Sequence, residues 1–466
     1  MIGALARYEL VMLWRERRAM LALGSLAMLV LLAFAGIATD ASRADAQKRA
    51  AAGAERARWL GQGVKDPHSA AHYAVYAFKP SPALAPLDPG VGPFVGQAVW
   101  LEAHHQNDML HRRQQDASPL QRAGLADPAS LILGFGPLAI FLLAFTAVAA
   151  ERERGTLRLA LGAATRPGRI AGAKLLAVAG SGIVALVLPV TVLTAIMTGI
   201  EGTLGPDTAV RLSLWAVTMA GYVAIMAAIG LAVAMTARSA RVGLALLFGL
   251  WILFALSLPR LASGIADDLR PLPSTQSVRQ AIDKAAPAYW SAEQSARHKA
   301  DLLARYRVAR VEDIPNYRMA ELDLVERHSH RVFDRVLGDF YAKVAAQDRL
   351  FGAFGPLSPT IAVQRISMML AGTDFDQHRA FIDQAERYRR TLVDRMNAEG
   401  MAHAVKPGDA AHTADIGLWS RIPAFAFMPP VLSRSAGAIM WPLAALLGWL
   451  TLAAGLLVRA SRSLKP

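Results

Sequence analysis

The sequence predicts an all-α polytopic membrane protein with six transmembrane helices and a mainly helical extracytoplasmic domain built from two insertions. Three observations lead there. Of the 466 residues 54% are hydrophobic, and they gather into blocks long enough for a helix to cross a hydrocarbon core of about 30 Å. Basic residues crowd the short segments at alternate ends of those blocks, the pattern that orients membrane helices. Two long polar segments carry apolar residues at three- and four-residue spacing, as amphipathic helices do. The net charge of +14 belongs mostly to the flanks and forms no single basic face, so nucleic acid is not expected as a partner. The chain has no cysteine, which excludes disulfides, thiolate metal sites and cysteine nucleophiles. An external domain must then be held by its own core.

Residues 1–18 read as a cytoplasmic interfacial helix. Ile2, Leu5, Leu10, Leu13 and Trp14 can share a face with Tyr8 at its margin, while Arg7, Arg15 and Arg18 lie largely off it. An extension of the first membrane helix accounts for the same pattern equally well. The first span, 19–39, follows Arg15, Arg17 and Arg18 and resembles a signal peptide, with Ala44-Asp45-Ala46 as a mock cleavage site. Its apolar run exceeds the roughly 7–15 residues of a signal core, so it reads as an uncleaved anchor. Residues 40–128 form the first insertion, whose middle (Pro80, Pro82, Pro86, Pro89, Gly90, Gly92, Pro93) has loop composition. The second span is 129–150, followed by a charged cytoplasmic segment at 151–174 and a third span at 175–200. A short external loop at 201–211 leads to the fourth span, 212–236. Residues 237–241 turn into the fifth and shortest span, 242–258. The second insertion occupies 259–435, the sixth span 436–458 and a tail 459–466. Helical periodicity within the second insertion covers Ser277–Arg310, Pro315–Leu350 and Asp374–Ala398. The two insertions are expected to pack together as one domain.

An even number of spans puts both termini on one side. That side holds Arg7, Arg15, Arg17, Arg18, Arg238, Arg241, Arg459, Arg462 and Lys465 as well as the basic excess of 151–174, so it is cytoplasmic. None of the proposed spans contains Asp, Glu, Lys, Arg or His, which argues against proton or sodium coupling. No Gly-x-x-x-x-Gly-Lys-Ser/Thr loop and no Gly-x-Ser-x-Gly elbow occurs, so neither ATP binding of that kind nor serine hydrolase chemistry is expected. His104, His105 and His111, and the pair His328 and His330, invite a metal reading. Solvated histidines are far commoner, and residues two apart on a helix face apart, so no metal ligand is assigned. Trp100, Trp290, Trp419 and Trp441 read as packing residues or interface anchors.

The segment Glu151-Arg-Glu-Arg-Gly-Thr-Leu-Arg-Leu-Ala-Leu161, then Arg166-Pro-Gly-Arg169 and Ala173-Lys174, resembles the loop after the second span in type-2 ABC transporter permeases. The family pattern there runs acidic-basic-acidic, Gly-Thr-Leu, an apolar stretch, a Pro and Arg turn, and Gly-Lys opening the third span. This chain departs from it in the order of Arg166-Pro167-Gly168-Arg169 and in Ala173, which puts docking detail in doubt. The large insertions are similar to the subgroup carrying the domain of unknown function 3526, related in layout to the permease of nitrous-oxide reductase maturation. Pro359-Thr360, Leu370-Ala371-Gly372-Thr373-Asp374, His378, Phe381 and Ile422-Pro423-Ala424-Phe425 carry that likeness.

The resemblance implies a non-catalytic permease subunit in a bacterial inner membrane, with lipid around it and a second protomer, a copy or a paralogue, beside it. A separate ATP-binding subunit, holding ATP and Mg²⁺, would grip the loop; no cofactor is implied in this chain. The docking residues it implies are Glu151, Arg152, Glu153, Arg154, Gly155, Thr156, Leu157, Arg158, Arg166, Arg169 and Lys174. Glu151 and Glu153 would favour the dipole of the loop helix, and the arginines would pair with acids on the partner. The bland alternative is that these charges only anchor the loop at the membrane face. At the level of function, the alternative is a membrane-anchored assembly protein whose outer domain binds another protein without transport.

Overall fold

The computed structural model describes residues 2–112, 127–153, 155, 166–285, 291–403 and 412–464. Helix α1 (Ile2–Arg15) is separated from α2 (Arg17–Leu60) by a backbone break at Glu16 (φ −80°, ψ 75°), so α1 is not an extension of the first span. Helix α2 runs unbroken for 44 residues, well past the expected boundary at residue 40. Its outer half is rich in alanine and free of proline, and high helix propensity carries it on. Helix α3 (Pro67–Tyr73) is capped by Asp66, whose carboxylate accepts from the Ser69 N–H, with Pro67 in the first turn. Strands β1 (Val75–Phe78) and β2 (Ala98–Leu101) form an antiparallel pair in the register Val75 to Leu101 and Phe78 to Ala98.

Helix α4 (Pro128–Glu153) is capped by Asp127 through the Ser130 N–H and Oγ. Helix α5 (Pro167–Ile200) and helix α7 (Ala240–Leu269) each contain a π turn, Ile183–Val187 and Ile252–Ser257. Each turn lies just before a proline (Pro189, Pro259), which cannot donate its backbone bond and crowds the preceding carbonyls. Between them lies α6 (Pro206–Thr236). The second polar segment gives α8 (Thr275–Ala285), α9 (Ala292–Tyr306), α10 (Tyr317–Ala353), α11 (Pro359–Ala371), α12 (Phe375–Ala402) and the short α13 (Ile416–Trp419). Helix α14 (Ala436–Arg462) closes the bundle.

Among the described residues, six helices are long and apolar enough to cross a membrane: α2, α4, α5, α6, α7 and the helix ending at Arg462. Helix α6 is the centre of the bundle and packs against α4, α5, α11 and α14. Its Trp215, Met219, Tyr222, Ile225 and Leu231 are fully buried. Outward side chains such as Leu21, Met28 and Leu32 on α2, and Val217 on α6, stay exposed, as a lipid-facing surface requires.

Helix α11 has no counterpart among the elements expected from sequence. It comes from the second polar segment, yet Val363, Ile366 and Leu370 belong to the core of the bundle. Arg211 ties it in: its guanidinium donates to the Met369 and Pro430 carbonyls and pairs with Asp207 at 2.6 Å. A second core lies in the polar part and draws on both insertions, with Trp59, Val75 and Leu101 packed against Phe381, Leu392 and Trp419. Trp59 donates its indole N–H to the Trp419 carbonyl, and Trp419 donates its own to Gly63.

Candidate functional site

The charged segment after the second span begins at the end of α4 and is gathered against α1 and α5. Lys174 is 1% exposed and reaches back across the base of the bundle. Its ammonium lies 2.8 Å from Glu9 Oε2 on α1, 2.8 Å from Glu151 Oε2 on α4, and 2.9 Å from the Ala147 carbonyl. Three donor hydrogens thus meet three acceptors, which is the condition for burying an ammonium at tolerable cost. Burial pushes the Glu9 carboxyl above its ordinary range, with Lys174 opposing and Glu151 adding to the shift. A cleft of about 230 Å³ lies beside the cluster, lined among others by Tyr8, Glu16, Thr146 and Ala150.

Arg152 turns the other way along the base. Its guanidinium donates to the Met235 and Ala237 carbonyls, each at 3.0 Å, and so satisfies the last turn of α6. Gly155 adopts φ +70°, a left-handed backbone that glycine takes without strain, as the chain leaves α4. On the return side Arg166 precedes Pro167, the first residue of α5, and the Arg169 N–H donates to the Arg166 carbonyl at 2.8 Å. The exposed Arg166 side chain and the half-buried Arg169 stand at the N-terminus of α5.

Of the residues that sequence reasoning assigns to docking, Glu151, Arg152 and Lys174 therefore hold internal bonds. Glu153 ends α4, Gly155 turns the chain, and Arg166 and Arg169 flank the re-entry. Arg154, Thr156, Leu157 and Arg158 lie outside the described residues. Glu9 is absent from that set, although its place between Leu5 and Leu13 at four-residue spacing marks it as an acid on the apolar side of α1. The orientation of α1 also differs from the expected one. Leu13 and Glu9 face the protein, whereas Tyr8, Val11 and Trp14 are exposed. An acid that pairs with a buried lysine outweighs a purely apolar face.

Residues 4–295 match the family described as ABC-2 family transporter protein. Residues 276–428 match a domain of unknown function, DUF3526, the segment that contributes α11 and α12. No curated protein and no solved structure matches the chain.

Proposed function

Since the chain belongs to the ABC-2 transporter protein family, which makes it a membrane permease component of an ABC transporter, we propose that it couples ATP hydrolysis in a separate subunit to export, or to work on an extracytoplasmic partner. The observation that supports this reading is the charged segment at the base of α4 and α5. Its two ends are tethered by Arg152 to α6 and by Lys174 to α1 and α4. Between the tethers lie Arg154 and Arg158, with Arg166 and Arg169 at the return. These four arginines are the ones to pair with acids of the nucleotide-binding subunit, while Lys174 and Glu151 hold the base through which a push would pass.

The basic flanks support a cytoplasmic side for this base, both termini and α1, with the two polar insertions outside, and the family likeness supports a bacterial inner membrane as the setting. ATP and Mg²⁺ belong to the partner subunit, and this chain catalyses nothing. A second protomer is required, and the least covered spans, α2 and α7, are its natural neighbours. An apolar groove of about 780 Å³ runs between α2, α4 and α7 on that side, lined by Leu29, Phe135 and Phe248.

Charge reversal of Arg154 and Arg158 together tests the docking. The expected result is loss of co-purification with the ATP-binding subunit while the variant still enters the membrane. Wild-type recovery of the subunit would refute the assignment. A second reading is favoured by the polar domain, which has its own core and a cavity of about 320 Å³ lined by Arg56, Tyr76, Tyr388 and Phe425. In that reading the domain binds a protein and nothing crosses the membrane. ATP hydrolysis stimulated by a periplasmic protein, with no cargo moved in reconstituted vesicles, would select it over export.

A further inference from the structure

Three imidazoles converge in the polar domain. His68 and His72 lie four residues apart on α3, hence on one face, and their Nε2 atoms are 3.1 Å apart. His104, in the turn after β2, brings its ring to within 5.2 Å of His68 and 4.6 Å of His72, centroid to centroid. One nitrogen from each of the three lies within 4.8 Å of the others. Ligands bound to one tetrahedral zinc at about 2.0–2.1 Å stand roughly 3.3 Å apart, so a small ring rotation, open to the exposed His72, closes the set.

The surroundings are those of a ligand set. His104 Nδ1 lies 2.5 Å from Glu326 Oε1 on α10, and His68 Nδ1 lies 3.3 Å from Asn397 Oδ1 on α12. With His68 Nδ1 turned to Asn397 and His104 Nδ1 close to Glu326, coordination by these two falls to Nε2, as in carboxylate–histidine–metal triads. Glu326 is only 1% exposed, and neither of its oxygens has a well-directed hydrogen bond among the described residues. His330 Nε2 stands 3.7 Å from its other oxygen. A buried carboxylate in that position is costly unless a positive charge is placed beyond the histidine it faces.

We propose that His68, His72 and His104 form a binding site for a divalent transition-metal ion of the zinc or copper type, with Glu326 and Asn397 as positioning residues. Neutral imidazole donors select such ions over Mg²⁺ and Ca²⁺, which take oxygen ligands. The fourth position opens to solvent beside His72. Because α3 and His104 come from the first insertion and α10 and α12 from the second, the ion clamps the two insertions together.

The test uses the full chain purified in detergent and stripped with a chelator. Zn²⁺ titration should show one equivalent bound, and Co²⁺ should give the visible absorption of a low-symmetry nitrogen site. His72→Ala, which removes an exposed side chain, should weaken zinc binding by at least about 100-fold, beyond the about 10–100-fold expected for Glu326→Gln. Zinc should raise the melting temperature of the wild type and not of His72→Ala. Ca²⁺ should do neither. The proposal is overturned if the wild type takes up no zinc, or if His72→Ala binds it with wild-type stoichiometry and affinity.

Discussion

Removing the cation from the Glu9–Lys174–Glu151 cluster gives the sharpest measurement of what holds the loop base. At 2.8 Å and an effective dielectric constant of about 20, each ion pair carries about 6 kcal/mol of gross attraction. Desolvating three nearly buried charges cancels much of that, yet it has already been spent in the native structure. Lys174→Met then leaves two carboxylates facing each other around an apolar side chain. Loss of one partner from a buried pair costs about 3–5 kcal/mol, and that is the expected destabilisation at pH 8. Glu9→Gln should cost less, because Lys174 keeps Glu151 and the Ala147 carbonyl. In the double variant the penalties should fall short of their sum by about 1–3 kcal/mol. The pH dependence has a definite sign. Without Lys174 the folded-state carboxyl of Glu9 rises further above its unfolded value, so the deficit is smallest near pH 5 and grows as pH rises through that raised value. Thermal unfolding in detergent, with proteolysis of α1 as a local probe, reads both effects. A Lys174→Met protein that melts with the wild type at pH 8 would refute the reasoning and return Lys174 to the surface as a docking residue.

The buried Asp88 and the close packing of Gly182 give two further expectations. Asp88 donates nothing and accepts from the Gly90 N–H and from Ser367 Oγ at 2.5 Å, with Asp127 nearby. Burial raises its carboxyl well above the ordinary carboxylate range, so its ionisation opposes folding as pH rises, and stability is lost in that direction. The apparent melting temperature of the wild type should fall more steeply between about pH 4 and 7 than that of Asp88→Asn, and equal slopes would dismiss the assignment. A Cβ on Gly182 would stand 2.4 Å from Ile140 Cδ1 and 2.9 Å from Val223 Cγ1, where α5 meets α4 and α6. Gly182→Ala should cost about 1–3 kcal/mol. Adding Ile140→Val, which removes the offending atom, should restore part of it in a thermal melt. Absence of rescue would show that the helices simply move apart.

The six apolar helices are legible in the sequence because an uncharged apolar block of span length is rarely of use except in a bilayer. The charged loop is legible because charge cannot lie in hydrocarbon. What the sequence hides depends on partners distant along the chain. Helix α11 has only thirteen residues and contains Arg365, so its composition fails every test for a span. It packs into the bundle with Arg365 itself buried and paired with Asp348 of α10, beside the buried Ile361, Val363 and Ile366. Lys174 reads from sequence as a surface charge because nothing local announces Glu9, 165 residues away. The histidines behave in the same way. His104 and His105 with His111 look like a set along the chain, but His105 packs near Phe333 and His111 is exposed. The strand pairing of 75–78 with 98–101 instead carries His104 to His68 and His72. A one-dimensional search for ligand spacing could find only the pair on α3.

The two guanidinium contacts on α6 bear on how a movement of the loop would reach the polar domain. Arg152 grips the carbonyls at its C-terminal end, and Arg211, in its first turns, grips the end of α11 and the Pro430 carbonyl before α14. Helix α6 contains no π turn and no internal proline among its 31 residues, and at about 1.5 Å per residue it spans the bundle as one stiff element. Helices α5 and α7 are instead interrupted by π turns ahead of their prolines, where bending is cheapest. Pull on Arg152 would therefore travel along α6 with little loss and arrive at α11, which is packed into the bundle and continuous through Gly372 with α12 of the polar domain. Helices α5 and α7 lie beside this path, and their π turns are where a change in tilt would be absorbed. Were energy to enter at the charged loop, as proposed, α6 and α11 would offer it a mechanical route to the polar domain.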